Sequence, residues 1–248
     1  MTELPISAVV ATAALVGGLV QGLSGFGSAL VAVPILAIVL PADTLVPLMV
    51  LLGVFISAFN LLSLHHALSI SPVLPLLGGY LLGTPLGLLF LAWAPEALVL
   101  GSLGLLISLY AGLSLAGRQP KAAWLRYRGI AIGTLSGALG AAYSTNGPPV
   151  LLHVAAQEEW NADRRKAVLA LFFLLASLIT ASAHALSGLI TGDVLLWLWW
   201  GLPPLVGGTL LGILLYRRLG ERDYRRLTLV IILVAGLMLM GRALQTPA

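Results

Sequence analysis

Long runs of apolar residues are the feature that most limits what this chain can fold into. The hydrocarbon core of a bilayer is about 30 Å thick, so a single helix crosses it with roughly 20 apolar residues. Six segments of the sequence meet this requirement, and they are 44–64, 72–93, 97–116, 166–190, 194–215 and 227–244. The sequence therefore predicts an all-α polytopic membrane protein.

The composition agrees with a membrane protein and excludes most soluble classes. Of the 248 residues, 59% are hydrophobic and 9% are charged, whereas charged residues make up about 25% of an ordinary soluble domain. So little polar surface cannot cover so many apolar side chains in water, and the same composition excludes a disordered chain. The sequence has no cysteine, which excludes disulfides, thiolate metal sites and a cysteine nucleophile.

Two further apolar segments, 6–40 and 129–156, are interrupted by polar and glycine-rich stretches. The interruptions are Gly22-Leu-Ser-Gly-Phe-Gly-Ser28 in the first segment and Ser144-Thr-Asn-Gly-Pro-Pro149 in the second. Each segment divides into two limbs of roughly 10–15 residues, which are too short to span a bilayer comfortably. We predict that both segments are hairpins that enter the membrane and turn near its middle.

The basic residues indicate how the chain is oriented in the membrane. They lie in three loops and near the C-terminus, at 118–128, 164–166, 217–226 and Arg242. If each hairpin returns to its own side, these three loops share one face, which the positive-inside rule makes cytoplasmic. The net charge of +4 therefore indicates membrane orientation rather than a nucleic-acid partner. The N-terminus lacks a basic n-region, so we do not expect a cleaved signal peptide.

Motifs of the first part of the chain recur in the same order in the second part. The recurring blocks are Gly22, Gly25 and Pro34 (again at Gly137, Gly140 and Pro149), His66–Ser69 (again at His184–Ser187) and Pro75–Gly83 (again at Pro204–Gly212). Glycine coincidences are common in a chain with 28 glycines, but three ordered blocks indicate an internal duplication.

We therefore predict two halves. Residues 1–117 contain the hairpin 6–40 and the first three spans, and residues 129–248 contain the hairpin 129–156 and the last three spans. Residues 118–128 form a cytoplasmic linker between them. Each half makes an odd number of crossings, so the second half is inverted relative to the first. Inverted repeats with broken helices near the midplane recur in secondary transporters.

The start of the second limb of each hairpin is where the sequence predicts binding. The first N–H groups of a helix have no partner within the helix, and its N-terminus carries a partial positive charge. Inside a membrane, such groups bind an anion without a fixed cation. In the second hairpin, residues 144–146 are N-cap types and Pro148 suits the first helical turn. The candidate substrate-binding residues are Ser24, Gly25, Phe26, Gly27, Ser28, Ser144, Thr145, Asn146, Gly147 and Pro148.

Three more polar residues lie within apolar runs. His153 and His184 are candidates for proton transfer or for lining the substrate path, because ionisable residues inside a membrane are functional candidates by default. Asn60 shares a helical face with Ser57, which fits either interhelical hydrogen bonding or site lining. Neutral, hydrogen-bonded packing is the alternative for the histidines. Close helix packing is the alternative for the glycines and serines of the interruptions.

The two interruptions carry a family resemblance. Gly22-Leu-Ser-Gly-Phe-Gly-Ser-Ala-Leu-Val-Ala-Val-Pro34 and Gly147-Pro-Pro-Val-Leu-Leu152, in a duplicated chain of this length, resemble the TauE/SafE family of sulfite and organosulfonate exporters. The resemblance extends over nearly the whole chain and implies a multi-pass permease of the bacterial inner membrane that exports sulfite, sulfoacetate or a related anion. It assigns the paired motifs to Gly22, Gly25, Gly27, Pro34, Gly147, Pro148 and Pro149. Many relatives have a glycine cluster where this chain has Tyr143-Ser-Thr-Asn146, which leaves the substrate open.

The prediction is a permease, not an enzyme, that moves a small anion through a midplane site between the two hairpin turns by alternating access. The alternative is an intramembrane serine protease, because Gly22-Leu-Ser-Gly25 is a GxSG motif that resembles the rhomboid nucleophile motif. His153 or His184 would then be the general base. Leu139 stands at the repeat position that matches Ser24, which argues against this alternative. The expected partners are the anion and membrane lipid; a homodimer is left open, and no cofactor, metal or nucleic acid is expected.

Overall fold

The computed structural model describes residues 5–62, 69–117, 125, 127–157, 159–216 and 221–245. In this part of the chain the secondary structure is helical, without strands, as the sequence predicts. The helices are α1 (Ile6–Ser24), α2 (Ser28–Leu36), α3 (Ala42–Leu62), α4 (Leu74–Trp93), α5 (Glu96–Leu115), α6 (Gly129–Tyr143), α7 (Gly147–Ala155), α8 (Ala162–Leu186), α9 (Gly192–Tyr216) and α10 (Glu221–Ala243).

Among the described residues, six helices are long and apolar enough to cross a membrane. Their candidate spans are Ile6–Leu23, Ala42–Phe59, Leu74–Trp93, Glu96–Leu115, Arg164–Leu186 and Gly192–Leu215. The last five correspond to apolar runs that the sequence predicts as spans. The predicted run 227–244 lies in α10, whose described apolar part is Thr228–Ala243. Helices of this length and composition indicate a multi-pass membrane protein.

The first limb of the first interrupted segment is longer than the sequence predicts. Helix α1 has 19 residues, whereas the expected limbs have roughly 10–15, so the expectation that this limb is too short to span is wrong. The helix continues through Gly17, Gly18 and Gly22. Glycine is a weak helix former in isolation, but Gly18 and Gly22 are packed against another helix, and this packing outweighs their low propensity.

Both interrupted segments are broken where the polar stretches lie. In the first break, residues 25–27, Gly25 and Gly27 have φ angles of 79° and 94°. In the second break, residues 144–146, Ser144 has a φ of 55°. A residue in this left-handed region commonly ends a helix, because it turns the chain out of the helical path. The short helices α2 and α7 follow the breaks, with nine residues each.

Helix α1 packs closely on α9 through glycines. A Cβ placed on Gly18 would overlap the carbonyl oxygen of Leu205, and one placed on Gly22 would overlap the carbonyl oxygen of Thr209. These two glycines are four residues apart and share one helix face. Small residues at this spacing allow helix backbones to approach closely within a membrane.

Helix α6 packs on α4 in the same manner. A Cβ on Gly133 would overlap the carbonyl oxygen of Leu76, and one on Gly137 would overlap the carbonyl oxygen of Tyr80. The glycines are again four residues apart. The helix that precedes each break is therefore packed on a helix from the other half of the sequence.

The chain divides into two compact units, and each contains one break. The first unit comprises Met1–Leu52, Ala94–Gln119 and Ile190–Ala248, and the second comprises Gly53–Trp93 and Pro120–Leu189. Helices α1, α2, α5, α9 and α10 belong to the first unit, whereas α4, α6, α7 and α8 belong to the second. The second unit has a core in which the rings of Tyr80 and Phe172 meet edge to face, with their centroids 5.7 Å apart.

Candidate functional site

A glutamine of the preceding helix holds the first break. The side-chain Nε2 of Gln21 donates to the carbonyl oxygen of Gly25 at 3.1 Å, and its Oε1 accepts from the N–H of Ser28 at 3.2 Å. The residue is only 6% exposed. One amide therefore connects the end of α1 to the start of α2. The role of Gln21 is not among the sequence-based predictions, although an amide in an otherwise apolar limb is a signal for it.

The start of α2 supplies backbone hydrogen-bond donors. Gln21 takes the N–H of Ser28, which is the first helical residue. Ala29 and Leu30 occupy the next two positions and retain their N–H groups, which an α-helix cannot satisfy internally at its first turn. The ring of Phe26 meets that of Tyr110 edge to face, with the centroids 6.4 Å apart. The backbone donors at the first break therefore lie at Ala29 and Leu30, one and two positions beyond the predicted candidates, which end at Ser28.

The second break has fewer backbone donors than the sequence analysis expects. Helix α7 begins at Gly147, so Pro148 and Pro149 occupy its second and third positions. Proline fits the first helical turn, as predicted, but it has no N–H. Of these three positions, only Gly147 retains a donor. An anion bound at this break would therefore depend more on side chains than the general argument about helix N-termini implies.

Asn146 is the N-cap residue of α7, but its side chain makes no capping hydrogen bond. A capping side chain normally accepts from the second or third helical N–H, and here those residues are Pro148 and Pro149. The Nδ2 of Asn146 instead donates to the hydroxyl of Tyr80 at 3.4 Å. Its backbone oxygen accepts from the Oγ of Ser136 at 2.6 Å. The predicted cap position is therefore correct, but the amide is used differently.

Tyr80 links the second break to two neighbouring helices. Its hydroxyl lies 2.7 Å from the Oγ1 of Thr180 on α8 and accepts from Asn146 at the start of α7. The side chain is fully buried. A Cβ on Gly140 would overlap the tyrosine Oη, so the glycine makes room for the hydroxyl. In the sequence, Tyr80 stands out only as part of the recurring Pro75–Gly83 block, which predicts no role for it.

The other two residues of the second break, Ser144 and Thr145, differ in burial and in local hydrogen bonding. Thr145 is 3% exposed, and its hydroxyl donates to the carbonyl oxygen of Tyr143 at 3.1 Å. Ser144 is half-buried and adopts the left-handed conformation that ends α6. The hydroxyl hydrogen of Thr145 is therefore engaged within the break, while its oxygen can still accept another hydrogen bond.

The two candidate histidines lie in different environments of the second unit. The Nδ1 of His153 donates to the carbonyl oxygen of Leu125 at 2.7 Å, and its Nε2 lies 3.5 Å from the Nε2 of Gln157. The Nε2 of His184 donates to the carbonyl oxygen of Ala141 at 3.0 Å. Its Nδ1 is buried and has no partner among the described residues. Both rings are thus anchored to backbone carbonyls, as a packing role requires.

Several predicted residues lie outside the described part of the chain. The side chains of Ser24 and Asn60 are not described, and neither are His65 and His66. Of the predicted linker 118–128, only Leu125, Tyr127 and Arg128 are described. Among the described residues, no group of three or more His, Asp or Glu residues could hold a metal ion.

Comparison with known protein families shows which family this helical membrane protein belongs to. The model of the family described as Sulfite exporter TauE/SafE matches residues 10–239, nearly the whole chain. The chain belongs to this family. No curated protein and no solved structure matches it. TauE/SafE membership indicates a membrane transporter of the sulfite-exporter type, as the sequence resemblance predicts. It gives no support to the serine protease alternative.

Proposed function

We propose that this TauE/SafE protein exports a small oxyanion, sulfite or an organosulfonate, across the bacterial inner membrane by alternating access. The observation that carries the proposal is the pair of polar helix breaks within otherwise apolar helices. Irregular backbone is costly in a membrane because its polar groups lack water. Transporters tolerate it where those groups bind the substrate.

The groups at each break suit an oxyanion. The first break contributes the N–H groups of Ala29 and Leu30, and the second contributes the N–H of Gly147 and the side chain of Asn146. Helices α1, α2, α6 and α7 contain no lysine or arginine. Dipolar donors must therefore replace the hydration shell of the ion, without a fixed countercharge. This favours a singly charged form of the substrate, because each further charge raises the desolvation cost.

The membrane potential can supply the driving force. Export of one negative charge from a negative interior gains about 2.3 kcal/mol per 100 mV. Uniport is therefore sufficient, and proton coupling through His153 or His184 is not required.

The repeated glycine contacts support an inverted repeat. Gly137 lies 115 residues after Gly22, and Thr209 lies 129 residues after Tyr80. Gly22 of the first half lies against the carbonyl oxygen of Thr209 in the second half, and Gly137 of the second half lies against the carbonyl oxygen of Tyr80 in the first half. Corresponding contacts in both sequence halves are what a duplication into 1–117 and 129–248 would produce. The nine residues of α2 and of α7 extend about 13 Å each, less than half of a bilayer core. This supports second limbs that end within the membrane.

A transport assay tests the function directly. The purified protein is reconstituted into liposomes, and efflux of sulfite, sulfoacetate, taurine, thiosulfate, sulfate and lactate is followed under an imposed potential. We expect at least one sulfur oxyanion to be transported and to raise the thermal stability of the detergent-solubilised protein by mass action. If tight liposomes transport none of these anions and none of them stabilises the folded protein, the proposal is wrong.

A double variant tests the second break. Thr145→Ala combined with Asn146→Ala removes the amide whose second N–H can bind the ion, together with the neighbouring hydroxyl that donates to Tyr143. A hydrogen bond to a charged partner contributes about 1.5–3 kcal/mol, so affinity should fall at least tenfold. Thr12→Val is the matched control, because the Thr12 hydroxyl donates to Ala8 of its own helix on an exposed face. Unchanged anion affinity in a well-folded double variant would contradict a site at this break.

A further inference from the structure

The second break contains one side-chain amide that is held by a neighbouring helix rather than by its own. Asn146 cannot cap α7, because Pro148 and Pro149 have no N–H to offer. An amide without a cap partner would rotate among several conformations, and ordering it on binding would weaken the affinity for a ligand. The hydroxyl of Tyr80 restricts this rotation by accepting one of the two Nδ2 hydrogens.

Tyr80 is itself held on several sides. Its hydroxyl is hydrogen-bonded to Thr180 at 2.7 Å, its ring meets Phe172 edge to face, and Gly140 leaves space only for the hydroxyl. A fully buried tyrosine with these contacts has little freedom to move. Its oxygen is therefore a fixed reference point beside the start of α7.

The first unit lacks this arrangement at the corresponding position. Thr209 lies 129 residues after Tyr80, the same spacing that relates Pro75 to Pro204. Its hydroxyl donates to the carbonyl oxygen of Leu205, one turn earlier in its own helix, at 2.8 Å. The tyrosine contact thus belongs to the second break alone and is not a general requirement for packing these helices.

We propose that Tyr80 is a positioning residue for the transported oxyanion. It fixes the amide of Asn146, so that the remaining N–H of this amide is ready to bind an oxyanion oxygen. Tyr80 does not contact the ion itself. This inference rests on the proposed anion site at the second break, and it adds a positioning residue on a different helix.

Three single variants test the proposal. Tyr80→Phe removes the hydroxyl and keeps the ring, Thr180→Val removes the support of the hydroxyl, and Thr209→Val is the matched control. Anion affinity is measured by titration calorimetry with the anion that binds wild type most tightly. One hydrogen bond contributes about 0.5–1.5 kcal/mol, so Tyr80→Phe should weaken binding by about two- to tenfold. Thr180→Val should act in the same direction, and Thr209→Val should bind as wild type does.

The double variant separates positioning from general packing. If Tyr80 acts through Asn146, Tyr80→Phe has no further effect on affinity in the Asn146→Ala background. If the two losses multiply instead, or if Tyr80→Phe binds as wild type does, the positioning role is refuted. If Tyr80→Phe does not fold, the same comparison is made with Thr180→Val.

A spectroscopic measurement keeps the proposal testable without any ligand. The chain has three asparagines, Asn60, Asn146 and Asn161, so selective ¹⁵N labelling yields three side-chain amide signals, and Asn146→Ala identifies the relevant one. We expect one of the two Nδ2 hydrogens of Asn146 to exchange slowly in wild type and in Thr209→Val, and rapidly in Tyr80→Phe. Rapid exchange already in wild type would overturn the positioning role. Absence of anion binding by wild type, with the slow hydrogen present, would instead contradict the proposed function.

Discussion

Gln21→Met should destabilise the first break in a measurable way. Methionine has a similar length and keeps the apolar stem packed, but it removes both hydrogen bonds of the amide, at 3.1 Å to Gly25 and 3.2 Å to Ser28. Each bond contributes about 0.5–1.5 kcal/mol. Because the site is largely buried, the unpaired groups recover little from water. We therefore expect the free energy of unfolding to fall by about 1–3 kcal/mol.

Reversible unfolding in mixed micelles measures this loss, and anion titration shows its functional effect. Gln21→Glu is an informative companion, because its carboxylate still accepts from the N–H of Ser28 but cannot donate to Gly25. It also adds a negative charge at the proposed site, so it should reduce anion binding more than Gln21→Met does. Thr12→Val serves as the control on the same helix. A Gln21→Met protein with wild-type stability and affinity would refute the view that this amide holds the break together.

The remaining predictions concern helix packing and the number of anion sites. Gly79→Ala should destabilise the protein by about 1–3 kcal/mol, because a Cβ there would overlap the carbonyl oxygen of Ile130. Gly78→Ala is the matched control, because a Cβ at Gly78 meets open space. Thermal melting of both variants checks this prediction, and equal melting temperatures would contradict the packing. Calorimetry also gives the number of anions bound per chain. Gln21→Met and Asn146→Ala are each expected to weaken anion binding, and wild-type affinity in both variants would argue against sites at the breaks.

The helices could be predicted from the sequence because their apolar runs are long enough to cross a bilayer. The two breaks could be predicted because glycine, serine, threonine and asparagine stop apolar helices at these points. The length of α1 could not be predicted, because Gly18 and Gly22 look like helix breakers until their contacts with α9 are known. Local propensity is a weak guide wherever tertiary packing requires the absence of a side chain.

The positions of the two breaks could be predicted, but the hydrogen bonding of their residues only in part. The low donor capacity of α7 follows from Pro148 and Pro149 themselves, so the sequence already contained this information. The roles of Gln21 and Tyr80 did not follow from the sequence in the same way. Gln21 acts across the turn between two helices, and Tyr80 reaches Asn146 over 66 positions of the chain. Such contacts depend on how the helices pack, which motif spacing does not give.

The lack of lysine and arginine in the helices at the two breaks has a consequence for the transport rate. A fixed lysine or arginine would attract an anion by several kcal/mol in a medium of low polarity and would slow its release. The proposed donors, backbone N–H groups or one oriented amide, would attract an anion less strongly, so the ion would leave more readily. We therefore expect a transporter with weak affinity and rapid turnover, whose arginines at 164 and 165 lie outside the breaks and can raise the local anion concentration. Introducing a lysine at position 146 should reverse this balance, with tighter binding and slower efflux, and faster efflux in that variant would contradict the argument.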